Sequence, residues 1–140
     1  MVDETAIRTY EAAYDIQLPA DYVEFLLLSN GATCRQDRAI LLSNGLEVLC
    51  DCLFGLGRRA PLCINFWQEE LSGELPKRCV VIGSSPGGGL FLLLELEMCW
   101  QIWYYDHSYA FASTSDSENT YACNIELKEL LALAVEQFDA

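Results

Sequence analysis

Apolar and polar positions along the chain change period several times, and each change marks a boundary. From Asp3 to Tyr14 the residues Ile7, Tyr10 and Tyr14 recur three and four apart, the spacing of one helical face, with Asp3 placed to cap the start. Asp15 to Leu18 reads as a connector. Pro19 predicts the opening of a second helix, where its fixed φ and missing N–H are tolerated. Asp21 and Glu24 suit that helix's positive end, and Tyr22, Phe25, Leu26 and Ser29 form its inward stripe. Asn30-Gly31 ends it, since glycine takes the left-handed backbone readily.

The period then shortens. Arg38 to Leu42 and Leu46 to Phe54 are strand-like, joined through Ser43-Asn44-Gly45, and Asn-Gly between apolar runs signals a hairpin. Pro61 to Leu71 predicts a third helix with Leu62, Phe66, Trp67 and Glu70 in register, closed by Ser72-Gly73. Arg78 to Gly83 is rich in β-branched residues and reads as a strand. A glycine-rich turn, Ser84 to Gly89, leads to two further strands, Leu90 to Leu96 and Trp100 to Tyr105. In the second, Trp100, Ile102 and Tyr104 alternate with Gln101, Trp103 and Tyr105. Tyr109 to Ser113 predicts a short edge strand, and Ser115 to Thr120 a polar loop. Asn124 caps a final helix running to Phe138, with Leu127, Leu130, Leu131, Ala134 and Phe138 on one face.

Strands cluster and do not alternate with helices, so the pattern predicts an α+β fold. The expected architecture is a central antiparallel sheet with two N-terminal helices, a middle helix and a C-terminal helix packed around it. The 140 residues suit one domain over 1–140 with a core large enough to need no disulfides. Apolar residues make up 52%, yet the longest apolar run, Val80 to Ile102, is interrupted by glycines, Pro86, Glu95 and Glu97, so no membrane helix is expected. The Met1-Val2-Asp3-Glu4 start lacks a secretory pattern, so a cytoplasmic location is expected. Seven cysteines, an odd number in such a chain, read as small buried hydrophobes rather than a disulfide framework. The net charge of −13 disfavours nucleic acid and anionic membrane as partners. It serves either solubility or the recognition of a basic partner.

Candidate chemistry is sparse. His107, the one histidine, would have to serve any nucleophile–His pair, but it follows a strand end where a turn residue is the commoner role. Cys50-x-Cys52 puts two sulfurs on one strand face, but a structural zinc site wants a second pair, and none follows. The Gly83 to Gly89 turn lacks the Gly-Lys-Ser/Thr of a phosphate cradle. Glu95 and Glu97, alternate residues of one predicted strand, suit a solvated strand face better than an acid–base pair. No catalytic residue, metal or cofactor is therefore expected. The aromatic group Trp100, Trp103, Tyr104, Tyr105 and Tyr109 is denser than a core requires, and alternation turns part of it outward, as an interface would.

The stretch Ile7 to Gly31, with Tyr10-Glu11, Ile16, Leu18-Pro19-Ala20-Asp21-Tyr22, Phe25-Leu26 and Asn30-Gly31, resembles the opening motif of the SUKH superfamily. Leu75-Pro76, Val80-Val81-Ile82-Gly83, Gly88-Gly89 and Ile102-Trp103-Tyr104-Tyr105-Asp106-His107 continue the likeness. The resemblance implies an antiparallel α+β domain without catalytic activity. Bacterial members bind a cognate toxin, often a basic nuclease, and block it; the fungal branch regulates cell-wall synthesis through protein contacts. The expected role is thus an immunity protein that neutralises a basic toxin, with Glu95, Glu97, Trp103, Tyr105, Asp106 and Asp116 as partner-binding residues. The alternatives are a regulatory scaffold and a small-molecule or peptide-binding module.

Overall fold

The structure, a computed structural model, describes residues 2–106 and 120–138. Its elements in chain order are α1 (Glu4–Tyr14), α2 (Ala20–Leu28), β1 (Ala32–Cys34), β2 (Ile40–Leu41), β3 (Glu47–Val48), β4 (Cys52–Leu53), α3 (Ile64–Glu70), β5 (Cys79–Ser84), β6 (Leu90–Leu96), β7 (Cys99–Tyr105), β8 (Thr120–Ala122), α4 (Leu127–Leu131) and β9 (Ala134–Glu136). Seven strands make one sheet in the order β8-β7-β6-β5-β4-β1-β9, and every strand pairing in it is antiparallel. The architecture is α+β, as expected from clustered strands.

The first two helices follow the local chemistry closely. The Asp3 side chain accepts the Ala6 N–H at 2.9 Å and caps α1, while Pro19 precedes the first turn of α2. Ile7, Tyr10, Tyr22, Phe25 and Leu26 are buried; Tyr14, predicted on the same face, is 38% exposed. The Tyr-Glu and Leu-Pro motifs meet through one carboxylate. Glu11, itself buried, accepts the Leu18 N–H at 2.7 Å and pairs with Arg8 at 2.6 Å, fixing the turn between the helices. Asn30 (φ 49°) and Gly31 (φ 102°) both lie in the left-handed region, and the Asn30 amide bonds both ways to the Leu56 backbone, at 2.8 and 2.9 Å.

In the middle of the sheet, Val80, Val81, Ile82 and Leu90 to Leu94 are all buried, so both faces of β5 and β6 are covered. That explains the dense aromatic group. Tyr104 and Tyr105 are buried, and Trp100 and Trp103 pack half-buried against the same core. A two-faced core therefore absorbs rings that alternation alone would turn outward. A Cβ on Gly89 would overlap the Tyr104 hydroxyl, which sits 2.7 Å from Ser85 Oγ, so the glycine-rich turn lets this buried tyrosine close onto it.

Beside β5 the ladder is completed without a strand. β4 is two residues long, and the neighbouring Cys79 carbonyl and Val81 N–H are met by the buried Gln68 amide of α3, at 3.2 and 3.0 Å. Gln68 and Ile64 are the buried residues of α3, so its inward register differs from the predicted Leu62, Phe66, Trp67 and Glu70, and Phe66 is 36% exposed.

Other corrections follow from short pairings. The predicted hairpin exists only as β2 and β3, a separate two-stranded sheet, and Leu46 to Phe54 does not run as one strand. β1 and β9 are three-residue strands with no periodic signal. The predicted helix to Phe138 stops at Leu131; Leu133 is buried and the chain turns back to pair with β1. A reciprocal Glu126–Glu129 capping box opens α4 in place of Asn124. Thr120, placed in a loop from the sequence, begins β8. The strand predicted at Tyr109 to Ser113 lies outside the described residues, as does His107. Among the described residues no helix is long and apolar enough to cross a membrane.

Candidate partner-binding surface

The β6–β7 hairpin fixes the residues singled out from the sequence, and it spreads them apart. Cross-strand pairing sets Leu92 opposite Trp103 and Leu90 opposite Tyr105 on one face, and Glu95 opposite Trp100 on the other. Glu95 and Glu97 sit near the hairpin's turn, while Tyr105 and Asp106 sit at its far end. Glu97 does not share a strand face with Glu95: it is a turn residue with φ 51°, followed by Met98 with φ 65°. Tyr105 is buried, and its hydroxyl donates to Glu74 at 3.3 Å, so its ring is not an exposed anchor. Trp103 is half-buried, with its indole N–H 3.2 Å from Gln101 Oε1. Asp116 lies outside the described residues.

Around the hairpin tip the surface has a distinct character. A groove of about 580 Å³ runs between the end of α1 and this tip, lined by Glu11, Ala12, Asp15, Ile16, Gln17, Arg78, Glu95 and Met98. Asp15 and Glu95 bring carboxylates to its lining beside the Arg78 guanidinium, which engages Glu95 loosely, at 3.5 Å, while Glu11 is held by Arg8 and the Leu18 N–H. Met98 is 94% exposed. Among the described residues, five other than glycine have left-handed backbones: Asp15, Asn30, Arg78, Glu97 and Met98. Three of them line this groove and Glu97 adjoins it, so uncommon backbone conformations concentrate here. Asp15 and Met98 were not singled out from the sequence. Positive φ at a residue other than glycine leaves no compositional mark, and Met98 read as part of an apolar run.

A larger groove of about 980 Å³ lies between α1, the end of α2, residues 56–58 and Phe138. Its polar side chains are already engaged in holding the backbone. Asn30 serves Leu56, Arg58 donates to the Asn30 and Ser29 carbonyls, and Asn65 accepts the Gly57 N–H. That arrangement fits a structural seam better than a pocket with polar groups converging on a small ligand.

No group of three or more metal-ligating side chains is assembled among the described residues. Five of the seven cysteines are buried; Cys99, expected inside an apolar run, is exposed, and Cys123 is partly exposed. Burial pushes the Cys79 and Cys123 thiols up to about 12, which keeps them protonated near neutrality.

Comparison with curated proteins and with solved structures found no match. The sequence model of the SMI1 / KNR4 family (SUKH-1) matches residues 1–124, which span the Glu11-to-Leu18 clamp, the Asn30-Gly31 turn and the whole β6–β7 hairpin. The chain belongs to the SMI1 / KNR4 family (SUKH-1).

Proposed function

We propose that this chain is a non-catalytic immunity-type domain that binds a cognate basic toxin protein through the β6–β7 tip and the acidic groove beside it, and blocks it. Membership of the family supports a domain of the immunity or cell-wall-regulator kind. The observation that carries the finer reading is the hairpin tip itself. It holds Glu97 and Met98 in left-handed backbone where Asn-Gly would be less strained, and it leaves Met98 bare to solvent. A bare, adaptable thioether rimmed by Asp15, Glu95 and Glu97 suits the centre of a contact with a lysine- or arginine-rich surface. Trp103 and Asp106 remain secondary candidates at the hairpin's flank and far end.

The test is co-expression with the product of the adjacent gene, scored for growth and for physical association by calorimetry. Rescue by the native chain and its loss in the Glu97→Lys, Met98→Ala double variant is the expected result. Neither rescue nor association with the native chain overturns the toxin reading. Rescue that survives the double variant moves the contact away from the tip.

A further inference from the structure

The geometry points to Cys34 and Cys50 as a dithiol that a hydroperoxide closes into a reversible disulfide, stapling the base of the β2–β3 hairpin. Their sulfurs lie 3.6 Å apart, with the Cys50 thiol donating to Cys34. Two backbone devices hold the pair in place. The Gln36 amide donates to the Cys34 carbonyl at 3.1 Å and to the Cys50 carbonyl at 2.7 Å, and the Cys34 N–H donates to the Asp51 carbonyl at 3.0 Å. Cys52 is nearby, but its sulfur is turned to Ser84 Oγ at 3.3 Å.

The two thiols are unequal. Cys50 is fully buried, whereas Cys34 keeps 6% exposure at the point where β9 slips register against β1. The hydrogen bond from Cys50 lowers the pKa of Cys34 and so eases its ionisation, while the loss of the proton at Cys50 is opposed by that same bond and by burial. Cys34 is thus the attacking sulfur and Cys50 the resolving one. The Cys34 thiolate attacks the peroxide, the O–O bond breaks, and hydroxide leaves as water after taking a proton. The Cys50 sulfur then attacks the Cys34 sulfenic acid. The S–S bond forms, the S–O bond breaks, and the hydroxyl leaves as a second water with the Cys50 proton. Two thiols lose two electrons and hydrogen peroxide becomes two waters.

The residues enclosed, 35–49, carry β2 and β3, and this hairpin covers the outer edge of β8 through the Leu42–Cys123 bridge and the Ser43 N–H bond to Ala122. Oxidation would therefore lock the cover of one sheet edge. The proposal stands apart from the partner-binding reading.

The experiment uses the full chain carrying Cys99→Ser, treated with hydrogen peroxide, then denatured, alkylated and mapped by mass spectrometry. The expected result is a fall from six to four free thiols, a peptide cross-link between Cys34 and Cys50, and a Tm higher by roughly 5–10 °C that reductant reverses. In the Cys50→Ser chain, dimedone should trap a sulfenic acid at Cys34. Retention of both thiols, a cross-link mapped to another pair, or sulfinic acid at Cys34 without a cross-link overturns the proposal. The mapping on the parent chain decides it even where the Cys50→Ser variant fails to fold.

Discussion

Glu11 does at the residue scale what a disulfide or a longer loop does elsewhere: one buried carboxylate joins Arg8 on α1 to the Leu18 N–H ahead of α2. Replacing it with alanine leaves a buried N–H without a partner, an effect worth about 1–3 kcal/mol. Urea denaturation of Glu11→Ala should show a loss in that range, and Glu11→Gln, which keeps an acceptor, should lose less. The cysteines give a second test at this scale. Native-state alkylation followed by mass spectrometry should modify Cys99 quickly at neutral pH, with Cys79 far slower. A thiol that ionises at 9.0 in the unfolded chain and near 12 in the fold retains its proton longer when folded. Between those values the unfolded state sheds protons first, so stability falls as pH rises above about 9 and is unaffected by this group below it. The sequence made Tyr10-Glu11 and Leu18-Pro19 visible as neighbouring motifs, but the bond between them spans seven residues and was invisible to any periodicity.

Among the elements, length decided what the sequence could reveal. β5, β6 and β7 are six or seven residues long, bounded by turns, and were read correctly to within a residue or two. β1 and β9 have three residues each, too few for a sequence pattern to show, and are defined by their pairings, β1 between β4 and β9 and β9 against β1. Leu130, Leu131, Ala134 and Phe138 keep helical spacing even though the helix stops at Leu131; the pattern matched a helix while burial of Leu133 and pairing with β1 won. The candidate site was half legible: Glu95 and Glu97 were found as charges, but the turn that begins at Glu97 was taken for continued strand. Exchanging that turn for a relaxed one tests its role directly. Glu97→Asn with Met98→Gly should raise stability by about 1 kcal/mol or more, because glycine and asparagine accept positive φ. The same pair should weaken binding of the proposed toxin partner, and calorimetry beside thermal melts separates the two effects. A tip that gains stability and keeps full affinity would have no part in recognition.

At the scale of the whole molecule, 21 acidic residues against 8 basic ones surround a core that covers both faces of the central strands. A field of that sign accelerates encounter with a basic protein and is screened beyond about 10 Å at 0.1 M salt. If the proposed toxin is the partner, stopped-flow association with it should slow by about tenfold or more between about 0.05 M and 0.5 M salt, with a smaller change in the dissociation rate. A salt-independent association rate would remove charge from the account of recognition.

The amide of Gln68 has a consequence for how the folded chain behaves in company. It occupies the backbone positions that a stranger's extended segment would otherwise seize, where a two-residue neighbour leaves part of β5 bare. A leucine there would fill the space yet leave a hungry carbonyl and amide inside a strongly apolar sheet. Concentrated Gln68→Leu protein should scatter light and bind amyloid dye where the parent stays clear. A single side chain of one helix would thus keep the folded chain from adhering to its own copies.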